Sequence, residues 1–190
     1  MRIGLLGGSF DPPHTGHLLV AGDALSALGL DRVVWIPAAT QPLKVGQVGA
    51  SPQQRFAMVG RLIEGEPGME ASAMEIERGG LSYTVDTLTA FAAQLPGSDL
   101  FWLVGADVTQ SFAKWRSPER IVELATLVVL QRTEEVPALS GLPGHPQLLA
   151  TRRIDISSTE IRRRVREGKS IRGFVPDSVA EFIAAEGLYR

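Results

Sequence analysis

The 190-residue chain contains no cysteine. Its absence excludes disulfides, thiolate metal sites and cysteine nucleophiles, and it suits a cytoplasmic protein. No run of about 18 apolar residues occurs, so no membrane span or membrane partner is expected. The N-terminus carries one basic residue, Arg2, followed directly by strand-like sequence, and no signal peptide is expected. Two common phosphate signatures are missing: neither Gly-x-x-x-x-Gly-Lys-Ser/Thr nor Gly-x-Gly-x-x-Gly occurs. Histidine is scarce, with three in the chain. Charged residues make up 21% and apolar residues 44%, which argues against disorder. The length suits one domain spanning 1–190.

The net charge of −2 is unevenly spread. Between Arg152 and Arg172 eight basic residues face three acids, leaving +5 there and −7 elsewhere. For most of these arginines a solvated helix face is the simpler reading. An anion site would need only one or two of them. No nucleic-acid partner is expected, because the chain as a whole is acidic and no aromatics interleave with the basic residues.

Strand signals recur over 2–6, 32–36, 70–74, 100–104, 127–131 and 148–151. The runs Val33-Val34-Trp35-Ile36 and Leu127-Val128-Val129-Leu130 are continuously apolar, as suits parallel strands covered on both faces. Helical patterns fall between them. One covers 15–28 and stops at Gly29. A second starts at Ser51-Pro52 and repeats Phe56, Val59 and Ile63. A third covers 84–95 and ends at Pro96-Gly97. Residues 46–49 and 136–146 read as loops. This alternation predicts an α/β fold, doubly wound around a mainly parallel sheet. Ligands then bind beyond the carboxyl ends of the strands. Three notable segments follow strands, at 7–17, 37–44 and 105–115, and a fourth at 155–164 opens a late helix.

The first of these, Gly7 through His17, reads Gly-Gly-Ser-Phe-Asp-Pro-Pro-His-Thr-Gly-His. Gly7 and Gly8 allow backbone to approach a ligand closely. Thr15-Gly16-His17 opens a helix, whose N-terminal amides favour anions. His14 and His17 stand about one turn apart and can face one ligand. A satisfied surface or core pair is the plain alternative. Zinc is a weaker one, because no third or fourth ligand lies nearby. In the late segment, Ser157 and Glu160 have capping-box spacing. A capped helix explains those two residues, but not the hydroxyls and Arg162 around them, which suit a second phosphate receptor.

The residues 8–17 resemble the His-x-Gly-His signature of the nucleotidyltransferase superfamily. Residues 156–162, Ile-Ser-Ser-Thr-Glu-Ile-Arg, resemble its Ile-Ser-Ser-Thr-x-x-Arg partner. Ser82-Tyr83-Thr84-Val85-Asp86-Thr87-Leu88 and Gly105-Ala106-Asp107, followed by Phe112 and Trp115, resemble the bacterial nicotinate-nucleotide adenylyltransferases. So do 51–55 and the tail from Phe174 to Tyr189, and the likeness covers nearly the whole chain. It implies a Rossmann-like nucleotidyltransferase fold. It also implies transfer of the adenylyl group of ATP to nicotinate mononucleotide, with pyrophosphate released and Mg2+ required in NAD biosynthesis.

The same likeness implies the residue roles. His14, His17, Lys44 and Arg162 would be catalytic. Gly7, Gly8, Ser9, Phe10, Gly16, Gly105, Asp107, Ile156, Ser157 and Ser158 would bind ATP. Lys44, Thr84, Asp107 and Trp115 would bind nicotinate mononucleotide. Magnesium would arrive on the ATP phosphates rather than on protein ligands. Trp115 lies among Lys114, Arg116 and Ser117, which favours a ring platform over a core position. One departure is Gln41-Pro42-Leu43-Lys44, where the family usually carries Pro-Pro-His-Lys. Pantetheine phosphate is the alternative acceptor, since a sister family shares both phosphate motifs. A non-catalytic nucleotide- or RNA-binding module is the alternative from another class. A homo-oligomer is left open.

Overall fold

The computed structural model describes residues 1–42, 49–131 and 139–190. Six parallel strands form one sheet: β1 (Arg2–Gly8), β2 (Arg32–Pro37), β3 (Met69–Ala71), β4 (Asp99–Gly105), β5 (Thr126–Gln131) and β6 (Gln147–Ala150). Their order is β3-β2-β1-β4-β5-β6, with Leu5 of β1 opposite Val34 on one side and Trp102 on the other. The doubly wound sheet expected from the alternating elements is therefore present. The order reverses between β1 and β4, which is where such sheets open a crevice for ligands.

The continuous apolar runs are explained by two cores. On one face, Leu6, Val33, Trp35, Leu103 and Val128 pack against helices α1 (Thr15–Ala27) and α2 (Pro52–Ile63). On the other, Ile3, Leu5, Val34, Trp102 and Val129 pack under α4 (Thr84–Gln94) and α5 (Pro118–Leu124). Successive strand residues point to opposite faces, so a strand covered twice must be apolar at every step. Helices α6 (Ser158–Arg166) and α7 (Asp177–Ala185) complete the first face through Ile161, Val179 and Ile183.

The expected strand over 70–74 is shorter and earlier. Strand β3 ends at Ala71, and Met74 instead opens a short helix, α3 (Met74–Arg78), after the Ser72 hydroxyl accepts its backbone N–H at 3.3 Å. Helices α5 and α7 are additions to the expected elements, although Val179 and Ile183 of α7 are buried at helical spacing. The helix start at Ser51 is as expected: its hydroxyl accepts from Gln54, and Gln54 reaches back to the Ser51 N–H. Gly29, at φ +55°, takes the left-handed turn that ends α1. The loops at 46–49 and 136–146 lie partly outside the described residues. No helix among the described residues is long and apolar enough to cross a membrane.

Candidate active site

Both early and late motifs open onto one cleft above the β1/β4 reversal. Gly7, Gly8, His14, His17, Ser157 and Arg162 all line it. The backbone leaves β1 at Gly8 and bends through Phe10, at φ +50°, into the start of α1. Phe10 is buried and lies edge-on to His17, with ring centroids 5.3 Å apart. His14 precedes α1 and stacks on His17 at 3.6 Å between centroids. The His14 backbone N–H donates to His17 Nδ1 at 3.2 Å. With Nδ1 accepting, the neutral imidazole carries its proton on Nε2. His14 itself is only 2% exposed, whereas His17 is half-buried, and both line the cleft. Gly16 does not line the cleft. It is buried behind it, where a Cβ would fall 3.0 Å from His14 Nδ1 and 3.1 Å from Ile154. Its bareness makes room for the imidazole.

The late motif is locked onto the early one. Ser157 caps α6, accepting the Glu160 N–H at 3.2 Å. The Glu160 carboxylate lies 4.0 Å from both Arg163 and Arg164. Ser158 donates to the Pro12 carbonyl at 2.8 Å, and Arg162 donates to the Asp11 carbonyl at 2.7 Å. Arg162 is thus held at the cleft by a main-chain carbonyl and by a longer ion-pair contact, 3.8 Å, with the buried Asp11 carboxylate. Ile156 packs against the core while lining the cleft. On the opposite wall, Gly105 ends β4, and Asp107 sits exposed in the 3-10 turn Ala106–Gln110.

A second, more apolar pocket adjoins the first. Thr84, Trp115, Tyr83 and Lys114 line it, together with Ala38 and Pro42 from the chain after β2. Gly7, Gly8, Gln41, Trp102 and Trp115 line both spaces, so the two share a wall. Gly7 needs its lack of a side chain: a Cβ there would lie 2.7 Å from Trp102 Cη2. Thr84 opens α4, so the helix N-terminus faces this pocket. Trp115 is half-buried and tilted against Phe112, with centroids 5.2 Å apart. Arg116 stacks over Tyr83 at 4.9 Å and lies 3.5 Å from Asp86. Asp107, expected at both ligands, lines only the larger cleft. Ser9 donates its hydroxyl to Gln41, tying the chain after β1 to that after β2. Lys44 and Leu43 lie outside the described residues.

Four buried residues with polar groups, Asp11, Tyr189, Glu75 and Arg55, are given no role by the sequence reading. Asp11 is 4% exposed and accepts from Gly49 N–H at 2.8 Å, Ala50 N–H at 3.1 Å and the Tyr189 hydroxyl at 2.7 Å. Burial, and then the neighbouring Asp11 carboxylate, push the Tyr189 phenol above its ordinary range, so it stays a donor. Glu75 is buried beside the second pocket, takes a 2.6 Å hydrogen bond from Thr87, and is pushed up in pKa by burial. Arg55 is equally hidden. The signals available for Arg55 and Tyr189 were their places in family-like segments, which carry no local indication of partners.

With this geometry in place, comparison narrows the family. Residues 5–164 match the cytidylyltransferase-like family model. A Gemmatimonas aurantiaca protein named "Probable nicotinate-nucleotide adenylyltransferase" is 52% identical, covering 100% of this chain and 93% of its own. A Thermus thermophilus protein of the same name is 44% identical and covers both chains completely. The chain belongs to the nicotinate-nucleotide adenylyltransferase family. The solved structure of Plasmodium falciparum nicotinic acid mononucleotide adenylyltransferase, complexed with NaAD, superposes with a TM-score of 0.81. It covers 99% of this chain and 97% of its own at 20% identity, and so speaks to the Rossmann-like nucleotidyltransferase fold.

Proposed function

We propose that the protein transfers the adenylyl group of ATP to nicotinate mononucleotide, forming nicotinate adenine dinucleotide and pyrophosphate. One observation carries the reading: His17 and Arg162, 145 positions apart in the chain, face one cleft that shares a wall with a ring-sized pocket. A triphosphate in the cleft and a mononucleotide in the pocket would meet at Gly7–Gly8.

The nucleophile is a phosphate oxygen already ionised at neutral pH, so no general base is required. The difficulty is bringing two polyanions together and stabilising charge at the α-phosphorus. Positioning and electrostatics carry such a reaction without a covalent enzyme intermediate. His17 Nε2–H is the donor toward the triphosphate, with His14 stacked behind it. Arg162 supplies a fixed cation, and Lys44 a second. Gly8, Ser9, Phe10, Ser157 and Ser158 shape the cradle, and Asp107 accepts from a ribose hydroxyl. Mg2+ would arrive on the substrate's own phosphates, where it would neutralise the departing pyrophosphate.

The acceptor's ring carboxylate suits the N-terminus of α4 at Thr84, with Lys114 and Arg116 on the rim and Trp115 as the stacking surface. The same proposal places the protein in the cytoplasm, a reducing compartment that suits a chain without cysteine. Pyrophosphate release from ATP and Mg2+ tests it, with nicotinate mononucleotide, nicotinamide mononucleotide and pantetheine phosphate offered in turn. Fastest release with the nicotinate compound is expected. Release without any acceptor, or fastest release with pantetheine phosphate, would refute it. An adenylylated enzyme trapped from labelled ATP alone would contradict direct transfer.

A further inference from the structure

Arg55 is the most deeply buried cation in the described structure, 2% exposed on the second turn of α2. It lines neither pocket. A buried guanidinium normally sits against a carboxylate. This one is spent on main-chain oxygens instead. One terminal nitrogen donates to Ser9 O at 2.6 Å. The other donates to Ala38 O at 2.6 Å and to Ala39 O at 3.1 Å. Nε donates to Ala50 O at 3.3 Å. Burial lowers its pKa, and the negative groups at Asp11, Tyr189 and Glu75 offset that.

The four acceptors belong to three separate segments, and each leads to ligand-facing atoms. Ser9 follows Gly7 and Gly8 on the shared wall, and its hydroxyl holds Gln41. Ala38 lines the second pocket. The Ala39 N–H donates to the Ser82 hydroxyl at 3.0 Å, and Ser82 leads directly to Tyr83 and Thr84. Ala50 donates to Asp11, whose main-chain carbonyl holds Arg162. A planar fork can satisfy diverging carbonyls at once, whereas an ammonium on a flexible stem cannot match that geometry.

We infer that Arg55 is a positioning residue that fixes the triphosphate cradle and the mononucleotide pocket relative to each other. It does so by clamping the chain after β1, the chain after β2 and the chain before α2. Each ligand then binds nearly normally without it, but their reacting atoms lose alignment. A misplacement of about 1 Å is enough to cost roughly a hundredfold in rate.

The inference rests on the proposed reaction, so the parent enzyme is assayed first. Failure of the parent to make dinucleotide would strike that reading, not the clamp. The clamp is then tested with Arg55→Lys and Arg55→Gln in the full chain. For each, the folded fraction, the separate dissociation constants for ATP and nicotinate mononucleotide, and kcat are measured. The expected result is a kcat at least tenfold lower per folded molecule, with both dissociation constants within about threefold of the parent. A kcat within about twofold of the parent in either variant would overturn the inference. So would a loss of rate that only follows loss of folded protein, or failure of both variants to fold, since these would make the residue's role one of stability alone.

Discussion

The two ligand spaces sit side by side but are built by different strategies. One side of the larger cleft is made from two short, contiguous chain segments that grip each other through main-chain oxygens, Ser158 to Pro12 and Arg162 to Asp11, and face a wall built from the end of β4 and the turn after it. The second pocket is assembled from scattered pieces, with Trp102 on β4, Thr84 at the start of α4 and Trp115 in the chain before α5. Phosphate is small and the same in every nucleotide, so one local backbone shape can serve it. A ring must be recognised by surfaces that only the tertiary fold brings together. Damage to the cleft should therefore act on rate, and damage to the pocket on acceptor binding.

The sharpest way to break this comparison is His17→Ala. It removes the proposed donor to the triphosphate, and kcat should fall by about 10²–10³, with the Michaelis constants nearly unchanged. Steady-state kinetics that show a raised constant for ATP and an intact kcat would make His17 a simple binding residue. Trp115→Ala should do the reverse. Loss of the stacking surface should raise the Michaelis constant for nicotinate mononucleotide by roughly two- to tenfold, with little change in kcat. A large kcat loss there would erase the division of labour.

The buried supports should respond in stability. Tyr189→Phe removes one of three hydrogen bonds to the buried Asp11 carboxylate, and the unfolding free energy should drop by about 1–3 kcal/mol in urea titration. No drop would show that the tail does not anchor the loop. The smallest effect is a pH dependence at Glu75. Burial raises its folded-state pKa above the ordinary 4.5, so the unfolded chain gives up its proton first as pH rises. The stability of the protonated form is complete below that ordinary value and is lost as pH climbs through the raised one. Glu75→Gln cannot ionise, so its stability relative to the parent should improve across that window and stay level below it. A difference that ignores pH would mean that the carboxyl is not disfavoured by burial.

The same contrast explains what could be read from the chain. The alternating apolar runs specified a doubly wound sheet because β2 and β5 lie between two cores, and that leaves a continuous signature. The two motifs proposed to hold phosphate were legible because each is an unbroken run of about ten residues or fewer. Thr84 and Trp115 became visible only through family likeness. Asp11 and Tyr189 meet across 178 positions, and Arg55 reaches Ser9 across 46. No spacing rule links such partners, and an arginine at helical spacing looks like any solvated face. Met74 was misplaced for a related reason: a short edge strand and a short helix share the same apolar letters, and the Ser72 turn decides between them.

The central claim is that the early imidazole and the late guanidinium act on one triphosphate. A double-mutant cycle of His17→Ala and Arg162→Ala, read in kcat, tests it most directly. The account predicts that the double variant loses far less than the product of the two single losses, because the donors serve the same transition state. Losses that simply multiply would mean that the two groups work independently, and the shared cradle would be wrong.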